Sequence, residues 1–208
     1  MLNQLWSSLR ATLVFALYTG ILFPLAITGV SQLALPRQAN GSLIRDDAGS
    51  VIGSQLLAQG FGRPEYFHPR PSAAGSGYAG EASSGTNLGP TSKKLILGQA
   101  DDPATKDINE SFDGVKQLAE AYRKENGLAA GFAVPVDAVT RSASGLDPHI
   151  SVINARCQVP RIARARALTQ RAVQQVITRD IESRDCGFLG EPRLNVLRLN
   201  LELDRLKG

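Results

Sequence analysis

Residues 142–151, with the sequence SASGLDPHIS, bring together the residue types of hydrolytic chemistry. Ser142 and Ser144 carry hydroxyl groups, Asp147 carries a carboxylate and His149 carries an imidazole. In a catalytic triad an aspartate orients a histidine, and the histidine takes the proton of an attacking serine. The segment therefore raises the hypothesis of a serine hydrolase that uses Ser142 or Ser144 with His149.

The same residue types are also typical of a rigid turn. Gly145 permits a positive φ, and Pro148 restricts the backbone of the residue before it. Serine and aspartate side chains commonly hydrogen-bond to their own backbone in turns. Triad residues usually converge from separate segments, and the sequence contains neither G-x-S-x-G nor S-x-x-K. We therefore favour a structural or partner-contact turn and keep the hydrolase as the alternative.

Motifs for nucleotide chemistry are weak or absent in the sequence. Residues 75–80, GSGYAG, match G-x-G-x-x-G, but the flanking RPSAA and EASSG predict a loop and not the required strand and helix. The chain also lacks a G-x-x-x-x-G-K-[ST] loop and an Asp-Lys-Thr-Gly segment. We expect no ATP hydrolysis by this chain alone.

Metal and polyanion binding are also poorly supported. The chain has two histidines, His68 and His149, which could meet in space with Asp137 or Asp147 nearby. Their positions in the sequence do not match the spacing of metal ligands, so we expect no metal site. The arginines of residues 156–171 form either an anion- or partner-binding surface or a solvated basic face. Beyond residue 36 the chain has 22 basic and 19 acidic residues, and a balance of +3 argues against nucleic acid.

The elements that would position these residues can be predicted from periodicity. Residues 111–127 predict a helix that Ser111 caps and Gly127 ends, and residues 153–168 and 169–185 predict two more, the second capped by Thr169. Residues 40–59 predict one or two short strands. Residues 197–204, LRLNLELD, alternate leucine with polar residues and predict a half-buried strand. The fold class expected is an α/β or α+β domain.

Residues 60–94 are crowded with Gly, Pro and Ser and predict a long loop, which is usually functional or disordered. The aromatic cluster Phe61, Tyr66 and Phe67 argues that part of this loop packs. The two cysteines, Cys157 and Cys186, show no zinc or redox spacing, and whether they pair stays open.

An uncharged stretch at residues 11–36 precedes this domain. It exceeds the ~20 apolar residues that cross a bilayer as a helix, and it is too long for a signal peptide. We therefore predict a short N-terminal segment at residues 1–10, one transmembrane helix at residues 11–35 and a domain at residues 36–208. Pro24 in mid-span, with Gly20 nearby, favours a helix that packs against another helix.

Several long segments appear together in a characteristic order. They are GRPEYFHPRPSA, SSGTNLGPTS, VTRSASGLDPHIS with ARCQVPRIARARAL, and GEPRLNVLRLNLELD, after a single proline-containing span. This chain closely resembles the C subunit of the Kdp-type potassium-transporting ATPase of bacteria. The resemblance runs over nearly the whole chain.

The resemblance implies an accessory subunit of a high-affinity, ATP-driven potassium uptake complex in the cell inner membrane. A channel-like subunit would carry the ion, and a P-type subunit would hydrolyse ATP. The C subunit would have a short cytoplasmic N-terminus, here residues 1–10, and its domain outside the cytoplasm. It would act as a catalytic chaperone that raises the ATP affinity of the pump subunit. The resemblance implies that the chain has no cofactor of its own, because ATP and potassium are handled by the complex.

The segments that carry the resemblance also supply candidate contact residues. The candidates for partner contact are Gly20, Pro24, Arg70, Asn87, Asp147, His149, Glu191 and Arg193. If a segment binds nucleotide directly, the candidate turn is Ser142, Ser144, Gly145, Asp147 and His149. A domain outside the membrane cannot touch cytoplasmic ATP, so an effect on ATP affinity would be a coupling through the complex.

Overall fold

The computed structural model of the chain describes residues 2–100 and 111–206. The chain forms two compact units, Met1–Ser54 and Gln55–Gly208. Across the described residues it mixes helix and strand, as predicted. The strands that pair there do so antiparallel, which fits the α+β form of the prediction and not the parallel α/β form.

The first unit begins with a long apolar helix. Helix α1, Leu2–Leu17, passes through a π segment, Tyr18–Leu22, into α2, Phe23–Ala34. The stretch Asn3–Ala34 has 32 residues and is long and apolar enough to cross a membrane. The helix begins before the predicted residue 11, because the residues that precede the uncharged stretch continue it without a break. It ends before Pro36, which disfavours the helical conformation at Leu35.

A short helix and a hairpin complete the first unit. Helix α3 covers Pro36–Ala39, and strands β1, Leu43–Arg45, and β2, Val51–Ser54, pair antiparallel. Both strands lie within residues 40–59, where one or two strands were predicted. The turn between them is closed by the Asp46 carboxylate, which accepts a hydrogen bond of 2.8 Å from the Ser50 N–H.

The second unit contains helices around one antiparallel strand pair. Strand β3, His149–Ser151, pairs with β4, Arg193–Asn195, so that His149 lies opposite Asn195 and Ser151 lies opposite Arg193. The helices are α4 (Lys93–Leu97), α5 (Val115–Asn126), α6 (Val136–Val139), α7 (Val152–Arg166), α8 (Gln170–Asp180) and α9 (Val196–Arg205).

The main core of this unit lies where α7, α8 and α9 pack together. Its fully buried side chains include Phe67, Ile162, Val173, Ile177 and Leu199. The helices α7, α8 and α9 start at capping side chains, Ser151, Thr169 and Asn195, each of which accepts a hydrogen bond from an N–H three residues on. The predicted cap at Thr169 is therefore confirmed.

The predicted strand at residues 197–204 is wrong, because α9 is a helix. Strand β4 ends just before it at Asn195, whose side-chain oxygen accepts a 3.2 Å hydrogen bond from the Arg198 N–H. The buried positions Val196, Leu199, Asn200 and Leu203 follow the three- and four-residue spacing of a helix face. Leucines four residues apart share a face in a strand and in a helix alike, so the alternation did not discriminate between them.

The predicted cap of α5 is also wrong. The helix begins at Val115 with Gly114 at its N-cap, three residues after Ser111, and has no side-chain cap there. A Cβ at Gly114 would lie 2.3 Å from the Gly98 backbone nitrogen, so a close backbone contact fixes the start of the helix. Gly127 ends α5 in the left-handed conformation, with φ +65°, as predicted.

The long loop of residues 60–94 is held by its backbone. The Asn200 carboxamide accepts from the Phe67 N–H at 2.8 Å and donates to the Phe67 carbonyl at 3.0 Å. Gln158 does the same for His68, at 2.8 and 3.1 Å. Two buried amide side chains thus bind successive residues of the loop as a neighbouring strand would. The predicted packing of this part of the loop is confirmed.

Two arginines extend this hold on the loop. Arg161 donates to the Pro64 carbonyl at 2.6 Å and the Tyr66 carbonyl at 3.0 Å, and Arg166 donates to the Glu65 carbonyl at 2.7 Å. We call Gln158, Arg161, Arg166 and Asn200 the loop clamp. The arginine cluster is therefore neither wholly solvated nor wholly a binding surface. Its exposed members are Arg156, Arg164 and Arg171.

Candidate functional site

The loop that the clamp holds leads into a chain of ionisable side chains that contact one another. Arg70 Nη1 lies 2.8 Å from Asp147 Oδ2, and the other carboxylate oxygen of Asp147 lies 3.5 Å from His149 Nδ1. His149 Nε2 lies 3.4 Å from Glu182 Oε2, which is 3.3 Å from Arg193 Nε. The imidazole therefore lies between two carboxylates, and each carboxylate also contacts an arginine.

These groups border an open cleft of about 270 Å³, which we call the ion-pair cleft. It is lined by Arg70, Asp137, Asp147, His149, Ile150, Ser151, Glu191, Pro192 and Arg193. Its floor includes strand β3, and the antiparallel pairing with β4 brings Arg193 beside the residues that follow the turn at 142–148. Segments more than 100 residues apart in sequence thus form one polar surface.

The turn that delivers Asp147 and His149 is tightly specified. Gly145 has φ +69°, and a Cβ there would lie 2.7 Å from both the Ala74 nitrogen and the Ser84 carbonyl oxygen. The Asp147 carboxylate accepts from the His149 N–H at 3.0 Å, and such a bond from the backbone two residues on to an aspartate side chain is common in turns. The glycine and the aspartate are therefore required by the backbone and by the packing of the loop of residues 60–94.

The charge of Asp147 is stabilised within the cleft. Partial burial opposes its ionisation, but hydrogen bonds from the side chain and backbone of His149 and from Arg70 outweigh that effect and lower its pKa to about 2. The carboxylate is therefore ionised at neutral pH and holds the arginine and the imidazole in place.

One side of the cleft is a braced hairpin at residues 182–193. Glu182 and Arg193 exchange backbone hydrogen bonds of 2.9 and 3.1 Å, and Arg193 also donates to both carboxylate oxygens of Asp185, at 3.1 and 3.3 Å. Arg184 and Glu191 form a further pair at 2.6 Å. At the tip Phe188 is 71% exposed. The brace fixes the position of Arg193 in the cleft.

The geometry does not support the serine hydrolase. The Ser142 hydroxyl accepts from the Asp147 N–H at 3.4 Å, and the Ser144 hydroxyl accepts from the Leu146 N–H at 3.1 Å. Both ring nitrogens of His149 face carboxylates. Within residues 2–100 and 111–206, the hydrogen bonds of these two serines do not include one to the imidazole, so no nucleophile is activated.

The candidate nucleotide turn stays a prediction. The N–H groups of Gly145, Leu146, Asp147 and His149 each have an acceptor inside residues 142–147. A phosphate cradle needs several N–H groups that point outward, and this turn uses these four internally.

Five of the eight predicted contact residues line the ion-pair cleft: Arg70, Asp147, His149, Glu191 and Arg193. Asn87 is exposed in the loop, with φ +52°, and does not line it. Gly20 and Pro24 lie in the apolar helix of the other unit. Sequence reasoning missed Glu182 and Asp185, which also contact Arg193. No local signal marks Glu182, because its contact with His149 joins residues distant in sequence.

The two histidines have different partners. His68 Nδ1 lies 2.7 Å from Glu125 Oε1, and the hydrogen bond from His68 lowers the pKa of that carboxyl. Across the described part of the chain, no group of three or more His, Cys, Asp or Glu side chains could hold a metal ion. Cys157 and Cys186 are free thiols, the first half-buried and the second exposed.

These features describe a protein with an apolar N-terminal helix and an α+β domain whose loops are held by ion pairs and hydrogen bonds. The family model of the K+-transporting ATPase c chain, KdpC, matches residues 5–205. The chain belongs to this family and is thus an accessory, membrane-associated subunit in potassium transport.

Curated relatives named potassium-transporting ATPase KdpC subunit are similar over most or all of their length. One from Mycobacterium bovis BCG is 52% identical over 99% of this chain and 100% of its own. One from Myxococcus xanthus is 50% identical over 100% of this chain and 90% of its own. One from Caulobacter sp. strain K31 is 47% identical over 98% of this chain and 94% of its own. The match covers the apolar helix and the domain alike.

Proposed function

We propose that this chain is a non-catalytic subunit of an ATP-driven potassium uptake complex. The observation that carries the proposal is the family match over residues 5–205, which includes the apolar helix and the ion-pair cleft. The cleft supports it, because its acidic and basic side chains pair with one another and no serine engages its histidine. Such a surface suits polar recognition of another protein better than bond cleavage.

The topology we propose is one span in the cell inner membrane. The N-terminus lies in the cytoplasm, and the domain lies outside it. The helix Asn3–Ala34 supports the span by its length and composition. The orientation rests on the family resemblance. The excess of basic residues that marks the cytoplasmic side is too small to decide here, with Arg10 before the apolar stretch and Arg37 and Arg45 after it.

The partners we propose are a channel-like potassium-translocating subunit and a P-type ATP-hydrolysing subunit. In this arrangement the ion-pair cleft contacts one of them outside the membrane, and the helix contacts one of them within it. The charge pairs of the cleft favour a role in binding another subunit, because charged groups at an interface give specificity and fix the orientation of the partners. Gly20, Pro24 and Asn87 remain candidate contacts beyond the cleft.

The chain would act as a catalytic chaperone for the pump subunit by coupling. A domain outside the membrane can raise the ATP affinity of the pump subunit only if assembly stabilises the conformation of that subunit that binds ATP. The effect is then a coupling free energy between the subunit interface and the ATP site. Direct nucleotide binding by the turn at residues 142–149 is the rival explanation. The internal use of its N–H groups supports the coupling explanation.

Potassium-dependent ATP hydrolysis of the purified complex tests this proposal. We expect Arg193→Gln to weaken assembly and raise the ATP concentration at half-maximal rate about three- to tenfold, because it removes the ion pairs of Arg193 with Glu182 and Asp185. The control is Arg205→Gln, whose arginine is exposed and pairs with Glu202 on the same helix. An unchanged half-saturating ATP concentration for Arg193→Gln, together with normal assembly, would contradict a role for the cleft.

A further inference from the structure

The apolar N-terminal helix changes its hydrogen-bond register near its middle. In the π segment Tyr18–Leu22, the N–H of Phe23 bonds to the carbonyl of Tyr18, five residues back instead of four. The next residue is Pro24, which has no N–H to donate. A register shift and a missing donor therefore fall on the same turn.

Three carbonyls of this turn compete for one donor. The Tyr18 carbonyl is taken by Phe23, and the carbonyl of Leu22, the N-cap of α2, accepts the first hydrogen bond of that helix. The carbonyls between them belong to Thr19, Gly20 and Ile21. Because Pro24 donates nothing, the N–H of Leu25 is the one backbone donor left for them. At least two of the three carbonyls therefore have no helical hydrogen bond.

The surrounding side chains do not compensate. The Thr19 hydroxyl donates to the Phe15 carbonyl at 2.7 Å, one turn back. Within residues 2–100 and 111–206, no side chain makes a hydrogen bond to the three carbonyls. A Cβ at Gly20 would meet nothing within 4 Å, so the backbone of this turn is open to a neighbour. We call the carbonyls of Thr19, Gly20 and Ile21, with the bare face of Gly20, the bulge surface.

A bilayer makes such a surface costly unless a donor covers it. The bulge surface lies within the apolar stretch Asn3–Ala34, where lipid chains offer no donors. Non-helical backbone at that depth is tolerated where a neighbouring helix, an ordered water or a polar side chain satisfies it. A helix that served only as a tether would gain nothing from this arrangement.

We propose that the bulge surface is the docking site for a transmembrane helix of a partner subunit, which donates a hydroxyl or carboxamide hydrogen bond to the exposed carbonyls. The inference rests on the proposed function and adds the chemistry of the contact. A partner chain fits better than a second copy. In a parallel copy the hydroxyl donors near this depth are Thr19, which is already bonded to the Phe15 carbonyl, and Tyr18. A long helical side chain such as that of Tyr18 leans toward the start of its helix, and so away from the carbonyls of its own turn.

The test is co-isolation of partner subunits with the tagged full-length chain from its native membrane, quantified by mass spectrometry. Gly20→Leu fills the bare face of the bulge surface, which keeps a partner helix away from the carbonyls, and leaves the helix apolar. We expect it to lower recovery of the partner about three- to twentyfold, the range for one interhelical hydrogen bond. The matched control is Gly29→Leu, which adds the same side chain where there is also open space but no bulge, and should recover wild-type amounts.

Pro24→Ala separates hydrogen bonding from packing. It supplies an N–H that satisfies one of the carbonyls from within the helix, and we expect recovery to fall about threefold. Wild-type recovery with Pro24→Ala, or equal losses for Gly20→Leu and Gly29→Leu, would overturn the inference and leave the proposed function standing. Exchange between two differently tagged copies in place of partner subunits would overturn the choice of a partner chain. A wild-type chain that isolates alone would overturn the proposed function and this inference together.

Discussion

Asp147 is the residue on which the ion-pair cleft depends most. It contacts Arg70 and His149 with its two carboxylate oxygens and also closes the backbone turn. Its low pKa has a consequence for stability. A group whose pKa falls on folding stabilises the protein above its ordinary pKa, and that contribution is lost as the pH falls toward the folded value.

We therefore expect Asp147→Asn to lower the free energy of unfolding at pH 7 by roughly 1–2 kcal/mol. Asparagine keeps the turn but removes the charge that Arg70 and His149 face. The difference from wild type should persist down to the ordinary pKa of 3.8 and disappear as the pH approaches about 2. Urea unfolding of the full chain in detergent, followed by circular dichroism at several pH values, measures it. A difference that does not change with pH would contradict this role of the charge.

Gly145 gives a second prediction at this scale. Because of its positive φ and the two backbone atoms 2.7 Å from a Cβ, we expect Gly145→Ala to destabilise the domain by about 2 kcal/mol or more. Gly89→Ala is the control, since a Cβ there meets nothing within 4 Å and φ is not positive. Equal midpoints of urea unfolding for the two variants would show that the turn tolerates a side chain.

At the scale of elements, the loop clamp explains how a loop rich in Gly, Pro and Ser becomes ordered. Residues 60–70 have little regular structure, yet the N–H and carbonyl groups of Phe67 and His68 are paired with buried carboxamides. Unpaired backbone groups at these buried positions would be costly. The clamp thus replaces a strand partner and delivers Arg70 to the ion-pair cleft.

We expect Asn200→Leu to destabilise the domain by about 2–4 kcal/mol, because the Phe67 N–H and carbonyl lose their partners while buried. Amide hydrogen exchange should rise at Phe67 and His68 before it rises in α8. The control is Glu202→Gln in the same helix, at a more exposed position. Unchanged exchange at Phe67 in Asn200→Leu would show that the loop is held by other contacts.

The elements also show what the sequence could and could not predict. The helices α7 and α8 and the hairpin β1–β2 follow local signals, because caps, turn residues and apolar faces lie within one segment. Helix α9 was mistaken for a strand, because leucines at alternate positions satisfy the strand period, and those four residues apart also share a helix face. The cap at Asn195 identifies the start of the helix. Glu182 and the loop clamp could not be found, because they depend on pairing between residues distant in sequence.

At the scale of the whole molecule, the family could be predicted from sequence because several long segments recur in a fixed order. The family match over residues 5–205 confirms that prediction. The five contact candidates that line the ion-pair cleft all lie in those segments. Their role in binding a partner stays a prediction, since local sequence carries no information about the surface of another chain.

The central claim is that this chain works as one subunit of a potassium pump and has no activity of its own. The most direct measurement is the composition of what the tagged wild-type chain brings with it from its native membrane after extraction in a mild detergent. We predict co-isolation, in constant ratio, of a large channel-like membrane protein and a P-type ATPase. A chain that isolates alone, under conditions that keep other membrane complexes intact, would contradict the claim.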